Sequence, residues 1–180
     1  HRTGFGPRLS AFIAELIGMH GNSRSAVQSI LKSVLGVHIC LGAVQKVVDR
    51  ASRAMKPHYE AIAEITRSAP VAHVDETSHP ENKARMWVWL MATPLTALFM
   101  IHEKRSRAAF DELIGDWRGT LISDGYGLYR KWPGLRQACN SHLIRDARGL
   151  SERPNPQTAR FGKWAQEELQ RLCHMSHAPP

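Results

Sequence analysis

The residues of this chain best suited to chemistry fall into three short stretches. In "VAHVDETSH" an apolar run reaches Asp75 and Glu76 and turns polar at once; "GTLISDGY" ends a second apolar run on Asp124; "CNSH" sets Cys139 three residues before His142. Carboxylates at strand ends are hard oxygen donors that suit a divalent cation. Two of them brought together would repel and raise at least one pKa unless a cation neutralised them. Cys139 and His142 have the spacing of half a zinc site, and Cys173, His174 and His177 begin 34 residues later. Zinc modules usually hold two tight pairs close together. The reading preferred here is a buried Cys139 thiol, with His142 at the edge of the acidic site.

These residues need elements to hold them. Leu9, Phe12, Ile13, Leu16 and Ile17 predict a helix over 7–19. Val27, Ile30, Leu31, Val34 and Leu35 predict a second, with a serine cap before it and Gly36 as its stop. After "GVHIC", Val44, Val47, Val48 and Ala51 mark another, and Pro57 to Arg67 reads as a separate helix. Two helices joined by a short Gly-containing turn match a helix-turn-helix and equally a plain helical hairpin.

From Val71 the period changes. "VAHVDET", "RMWVWLMAT" and "TALFMIHEK" read as three strands, residues 106–117 as a helix, and "GTLISDGY" as a buried strand. A short helix, the strand "RQACN", and helices over 141–152 and 158–175 complete the pattern. Three strands in a meander followed by a crossover helix would lay the fourth strand parallel to the first. Asp75 and Asp124 then meet near the ends of adjacent parallel strands, where ligands of open α/β sheets collect. Alternation places Asp75 with His73 and Thr77 on one face and turns Glu76 away, so Glu76 reads as a solvent-facing bystander. Asp-Gly is a turn dipeptide, but "YGLYRKW" is not an alternating return strand. Trp87 and Trp89 share one strand face and read as core. Lys104, Arg105 and Arg107 read either as contacts to a DNA backbone or as a solvated basic loop.

"HVDETSH", "RMWVWLMATP", "IHEKRSRAAFDEL", "GTLISDGYGLYRKW" and "QACNSHLIRDARGL" together resemble the central region of the insertion sequence 66 family of bacterial transposases. The likeness covers most of residues 4–172. It implies DDE chemistry on a ribonuclease-H-like core: an α/β fold with a mixed sheet and helices, preceded by an all-α, helix-turn-helix-like region. Residues 1–70 would form that DNA-contacting region, 71–150 part of the catalytic core, and 151–180 the start of a helical insertion. Asp75 resembles the first catalytic aspartate and Asp124 the second, 49 residues on (124 − 75). Cys139 and His142 resemble the Cys-x-x-His element that follows it. The resemblance implies two Mg²⁺ or Mn²⁺ ions, bridged by Asp75 with Asp124 on one, for cleavage and transfer of DNA strands. Its third acid, a glutamate, is expected beyond residue 180; Glu152, Glu167 and Glu168 do not stand in the matching context. The chain is thus expected to be a fragment that binds metal weakly. The alternative is a catalytically inactive DNA-binding remnant.

Composition agrees with these partners. Net charge is +8, and residues 1–70 hold nine Lys/Arg against four Asp/Glu, which favours a polyanion such as DNA. A homo-oligomer and accessory proteins of the same element are further expected partners. Three widely spaced cysteines argue against a disulfide framework and for a reducing, cytoplasmic setting, and the resemblance implies a bacterial, nucleoid-associated one. No apolar run approaches the length of a membrane span.

Overall fold

The computed structural model describes residues 5–81 and 84–177, with side chains as far as residue 175. The chain divides into two compact units between Ala61 and Ile62.

The first unit is helical: α1 (Pro7–Gly18), α2 (Arg24–Leu35) and the start of α3 (Leu41–Ser68). Pro7 opens α1, where its missing N–H costs no helical bond. Ser23 caps α2 by accepting from the Ala26 N–H at 3.1 Å. Gly36 ends it at φ 66°, a left-handed turn that a side chain would resist. Ile13, Val27, Leu31, Ile39, Val44 and Val47 close into a small core of their own. Arg24 Nη1 donates to Gln45 Oε1 at 2.8 Å, tying the start of α2 to the first turns of α3.

α3 corrects the expectation of two helices separated at Pro57. It runs unbroken for 28 residues with Pro57 inside it. Proline removes one bond, to the carbonyl four residues back. Residues 52–61 are exposed throughout, so water can reach that carbonyl, and Ala54, Met55, Lys56, Glu60 and Ala61 favour helix on either side.

The second unit is built on a five-stranded mixed sheet in the order β3-β2-β1-β4-β5. β1 (Val71–Glu81), β2 (Ala84–Ala92) and β3 (Ala97–His102) form the expected antiparallel meander. α4 (Arg107–Ile114) then crosses over, and β4 (Thr120–Ser123) lies parallel to β1. β5 (Arg136–Ala138) adds parallel to β4, and α5 (Asn140–Ser151) and α6 (Pro156–His177) pack on each other. This mixed α/β architecture is consistent with the ribonuclease-H-like class the resemblance implies. No described helix is long and apolar enough to cross a membrane.

One face of the sheet carries the core. Ala72, Val74, Trp89, Met91, Leu98 and Leu121 pack under Ala109, Phe110, Leu113 and Ile114 of α4, with Trp117, Tyr129 and Trp132 at the margin. Trp87 shares that face with Trp89 and is partly buried. Each fully buried large side chain contributes about 1.5–3 kcal/mol, so this layer anchors the unit. The α5–α6 pair relies instead on close backbone approach. A Cβ at Gly162 would stand 2.3 Å from the Ser151 nitrogen and 2.7 Å from the Ala147 oxygen.

Backbone atoms cannot step aside as a flexible side chain would. Gly162→Ala is therefore expected to lower stability by about 1–3 kcal/mol in urea denaturation. Gly149→Ala, on α5 with open space around it, is expected to raise stability by up to about 1 kcal/mol in the same measurement.

Candidate active site

The β1–β4 ladder pairs Val71 with Thr120, Ala72 with Leu121 and His73 with Ile122. Every pair is offset by 49 residues (120 − 71), the separation of Asp75 from Asp124. Continuing the register two steps past the ladder sets the two aspartates opposite each other. The β4–β5 ladder, offset by 15 (136 − 121), continues in the same way to set Cys139 beside Asp124. Extended in this way, the register sets Asp75 of β1 in line with Asp124, one residue past β4, and Cys139, one residue past β5. The carboxyl ends of β4 and β5 lie there, while β1 does not stop. It pairs with β2 as far as Glu81, so Asp75 sits mid-strand where its parallel neighbour ends. The polar run "SHPE", past the end of the expected strand "VAHVDET", is held as strand by that antiparallel partner.

Local hydrogen bonds fix each acid. Asp75 Oδ1 accepts from the Glu76 N–H at 2.9 Å, and its carboxylate is about half exposed. Asp124 Oδ1 accepts from the Tyr126 N–H at 2.9 Å, an Asx-type turn that fits the Asp-Gly sequence. Arg136 Nη1, from β5, donates to the Asp124 carbonyl at 3.1 Å, and Arg130 Nε to that of Gly125 at 3.0 Å, bracing the loop.

Cys139 precedes α5. Its N–H donates to the Ser123 carbonyl at 2.8 Å, and its carbonyl accepts from the His142 and Leu143 N–H groups, each at 3.1 Å. This turn brings His142 Nε2 to 3.9 Å from Asp75 Oδ2, within ion-pair range when the ring is protonated but too far for a hydrogen bond. His142 Nδ1 is buried with no hydrogen-bond partner. Asn140 Nδ2 lies 3.7 Å from Cys173 Sγ, so the two cysteine-bearing segments approach each other. The side chain of His177 lies outside the described residues. Among the described residues, no three His, Cys, Asp or Glu groups are arranged to hold a metal ion.

Glu76 overturns its reading as a solvent-facing bystander. It shares parity with Ala72 and Val74, pairs across the strand with Trp89, and is only 1% exposed at its side chain. Arg105 meets Glu76 Oε1 through Nε at 2.6 Å and Nη2 at 2.5 Å, and the Tyr129 hydroxyl donates to Oε2. Arg105 is accordingly the partner of the buried Glu76 carboxylate rather than a free loop cation, and Arg107 pairs with Asp111 at 2.8 Å. The Arg105 guanidinium also lies 3.8 Å from the Tyr126 ring centroid. Burial pushes the Glu76 carboxyl above its ordinary pKa, and the hydrogen bonds from Tyr129 and Arg105 only partly offset that. For Arg105, burial works downward, and the hydrogen bond and charge of Glu76 outweigh it, giving a net rise. The Tyr129 phenol is pushed up by burial, then by Glu76, and further by the charges of Asp124 and Asp75. One buried phenol therefore feels all three carboxylates.

A family model described as the IS66 family of transposases matches residues 2–178. The chain belongs to that family. Comparison with curated proteins gave no match.

The sequence signal for Glu76 was its parity. A carboxylate in step with Ala72 and Val74 must face the core and find cations or donors there. Glu76→Ala should leave the Tyr129 hydroxyl unpaired and Arg105 without its anion, lowering stability by about 3 kcal/mol in chemical denaturation. Glu76→Gln, which keeps an acceptor and the shape, should lose less than half of that. The pH dependence has a definite sign. A carboxyl whose folded pKa is raised contributes stability fully below its unfolded value, about 4.3, and loses it as pH rises through the folded value. Glu76→Gln should lack that loss.

Proposed function

We propose that this chain carries the first two acids of a metal-dependent DNA strand-transfer site, Asp75 and Asp124, and contacts DNA through its helical amino-terminal region. The observation that supports it most strongly is the shared offset of 49 in a chain of a transposase family. The donor set fits Mg²⁺ or Mn²⁺: two carboxylates in one row, exposed or half-buried, with no thiol required. A divalent cation held there would stabilise charge developing on phosphate oxygens during in-line displacement.

In this reading Asp75 and Asp124 bind the cation, and His142 stands beside Asp75 as a neighbour that lowers the repulsion between the acids when protonated. Glu152 pairs with Arg148, Glu168 pairs with Arg171, and Glu167 is exposed. None of them joins the row, so the third acid of the resemblance is assigned to none of these residues. Residues 1–70, with their excess of five positive charges (9 − 4), serve as the DNA-contacting region, 71–150 as catalytic core and 151–180 as the beginning of a helical insertion. A second reading is a DNA-binding chain without catalysis, which the same excess of positive charge in residues 1–70 supports.

Electron paramagnetic resonance of added Mn²⁺ separates the two. The first reading expects weak Mn²⁺ binding that is lost in Asp75→Asn and in Asp124→Asn, while salt-dependent DNA binding persists in both variants. Mn²⁺ binding that is absent, or indifferent to both substitutions, would leave only the DNA-binding reading.

A further inference from the structure

Asp124 lies one residue past the end of β4, and nothing in the strand itself fixes its carboxylate. What fixes it is the Tyr126 N–H, which donates to Oδ1 at 2.9 Å. Tyr126 is in turn held at its ring. The Arg105 guanidinium lies 3.8 Å from that ring's centroid and 5.3 Å from that of Trp87, a distance and partner type suited to a cation over an aromatic face. Tyr129 meets the same Tyr126 ring edge-on, with centroids 5.7 Å apart and planes at 83°. Arg105 cannot drift, because Glu76 takes two of its donors, at 2.6 and 2.5 Å, from a buried position on β1. Three segments distant in sequence therefore converge: β1 through Glu76, the β3–α4 loop through Arg105, and the loop after β4 through Tyr126.

We propose that Arg105 and Tyr126 are positioning residues for Asp124: the Glu76-anchored guanidinium clamps the Tyr126 ring, and that clamp holds the backbone N–H that orients the Asp124 carboxylate toward a divalent cation. The proposal rests on the metal-site reading above and adds to it residues that act through Asp124. The phenol hydroxyl of Tyr126 plays no part in the clamp, while the face of the ring does. Lysine at 105 would keep the charge for Glu76 but lose both the planar fork and the stacked contact.

The test is Mn²⁺ affinity by electron paramagnetic resonance, with thermal unfolding followed alongside on each variant. Tyr126→Ala should weaken Mn²⁺ binding about tenfold, which is about 1.4 kcal/mol, and Tyr126→Phe should restore wild-type affinity. Arg105→Lys should weaken it by a similar factor while remaining folded. Wild-type affinity in Tyr126→Ala, or equal weakening in Tyr126→Phe and Tyr126→Ala, would overturn the clamp. Should Tyr126→Ala not fold, Arg105→Lys decides: wild-type affinity there also overturns it. Binding that ignores Asp75→Asn and Asp124→Asn is a separate result. It removes the metal-site reading itself, and with it the cation that the clamp is proposed to serve.

Discussion

The parallel pairing of β1 with β4 is the constraint on which the candidate site depends. Neither strand carries both aspartates, and 49 residues of meander and crossover separate them in sequence. A single-residue slip would turn the core side chains of β4 to the opposite face, exposing Leu121 and Ser123, which are both buried. The register is thus enforced by core packing, and the alignment of Asp75 with Asp124 follows from it. The crossover is held in turn by α4, whose Phe110 and Leu113 are fully buried, and by Arg67, which donates to the Leu113 carbonyl at 2.7 and 3.0 Å.

Beside this apolar constraint runs a polar one. Burying Glu76 is costly unless its charge is matched, and the match comes from Arg105 and Tyr129. Those partners are drawn from the β3–α4 loop and from the short 3-10 turn after β4, so satisfying one carboxylate also fixes two loops at the site's edge. The acids then divide by face. Asp75 looks outward, where a solvated cation can approach. Glu76 looks inward and organises the surroundings.

Much of this was legible in the sequence. The meander, the crossover and the parallel return followed from apolar periodicity and the rule of connection, and they placed Asp75 and Asp124 on adjacent strands before any coordinates. Three features were hidden for physical reasons. Pro57 looked like the start of a separate helix, because a local rule cannot register that a hydrated carbonyl tolerates one lost bond. The continuation of β1 through "SHPE" was not visible, because its strand state depends on a partner, β2, and not on its own propensity. Glu76 looked like a surface residue because carboxylates usually are, although its parity with Val74 already pointed inward. What sequence could not supply was the partner, since Arg105 lies 29 residues away (105 − 76) in a loop that also reads as solvated.

The central claim is that strand register brings Asp75 and Asp124 together, and cross-linking tests it without metal, DNA or catalysis. Asp75→Cys and Asp124→Cys would be combined in a chain whose Cys40, Cys139 and Cys173 are serine, and mild oxidation followed by intact mass. Neighbouring residues on parallel strands fall within the roughly 4.4–6.8 Å Cα separation a disulfide needs. The account predicts rapid, intramolecular disulfide formation in the folded protein, lost when the partner cysteine is moved from 124 to 127. A folded double-cysteine protein that stays reduced, or that cross-links as readily through position 127, would contradict it.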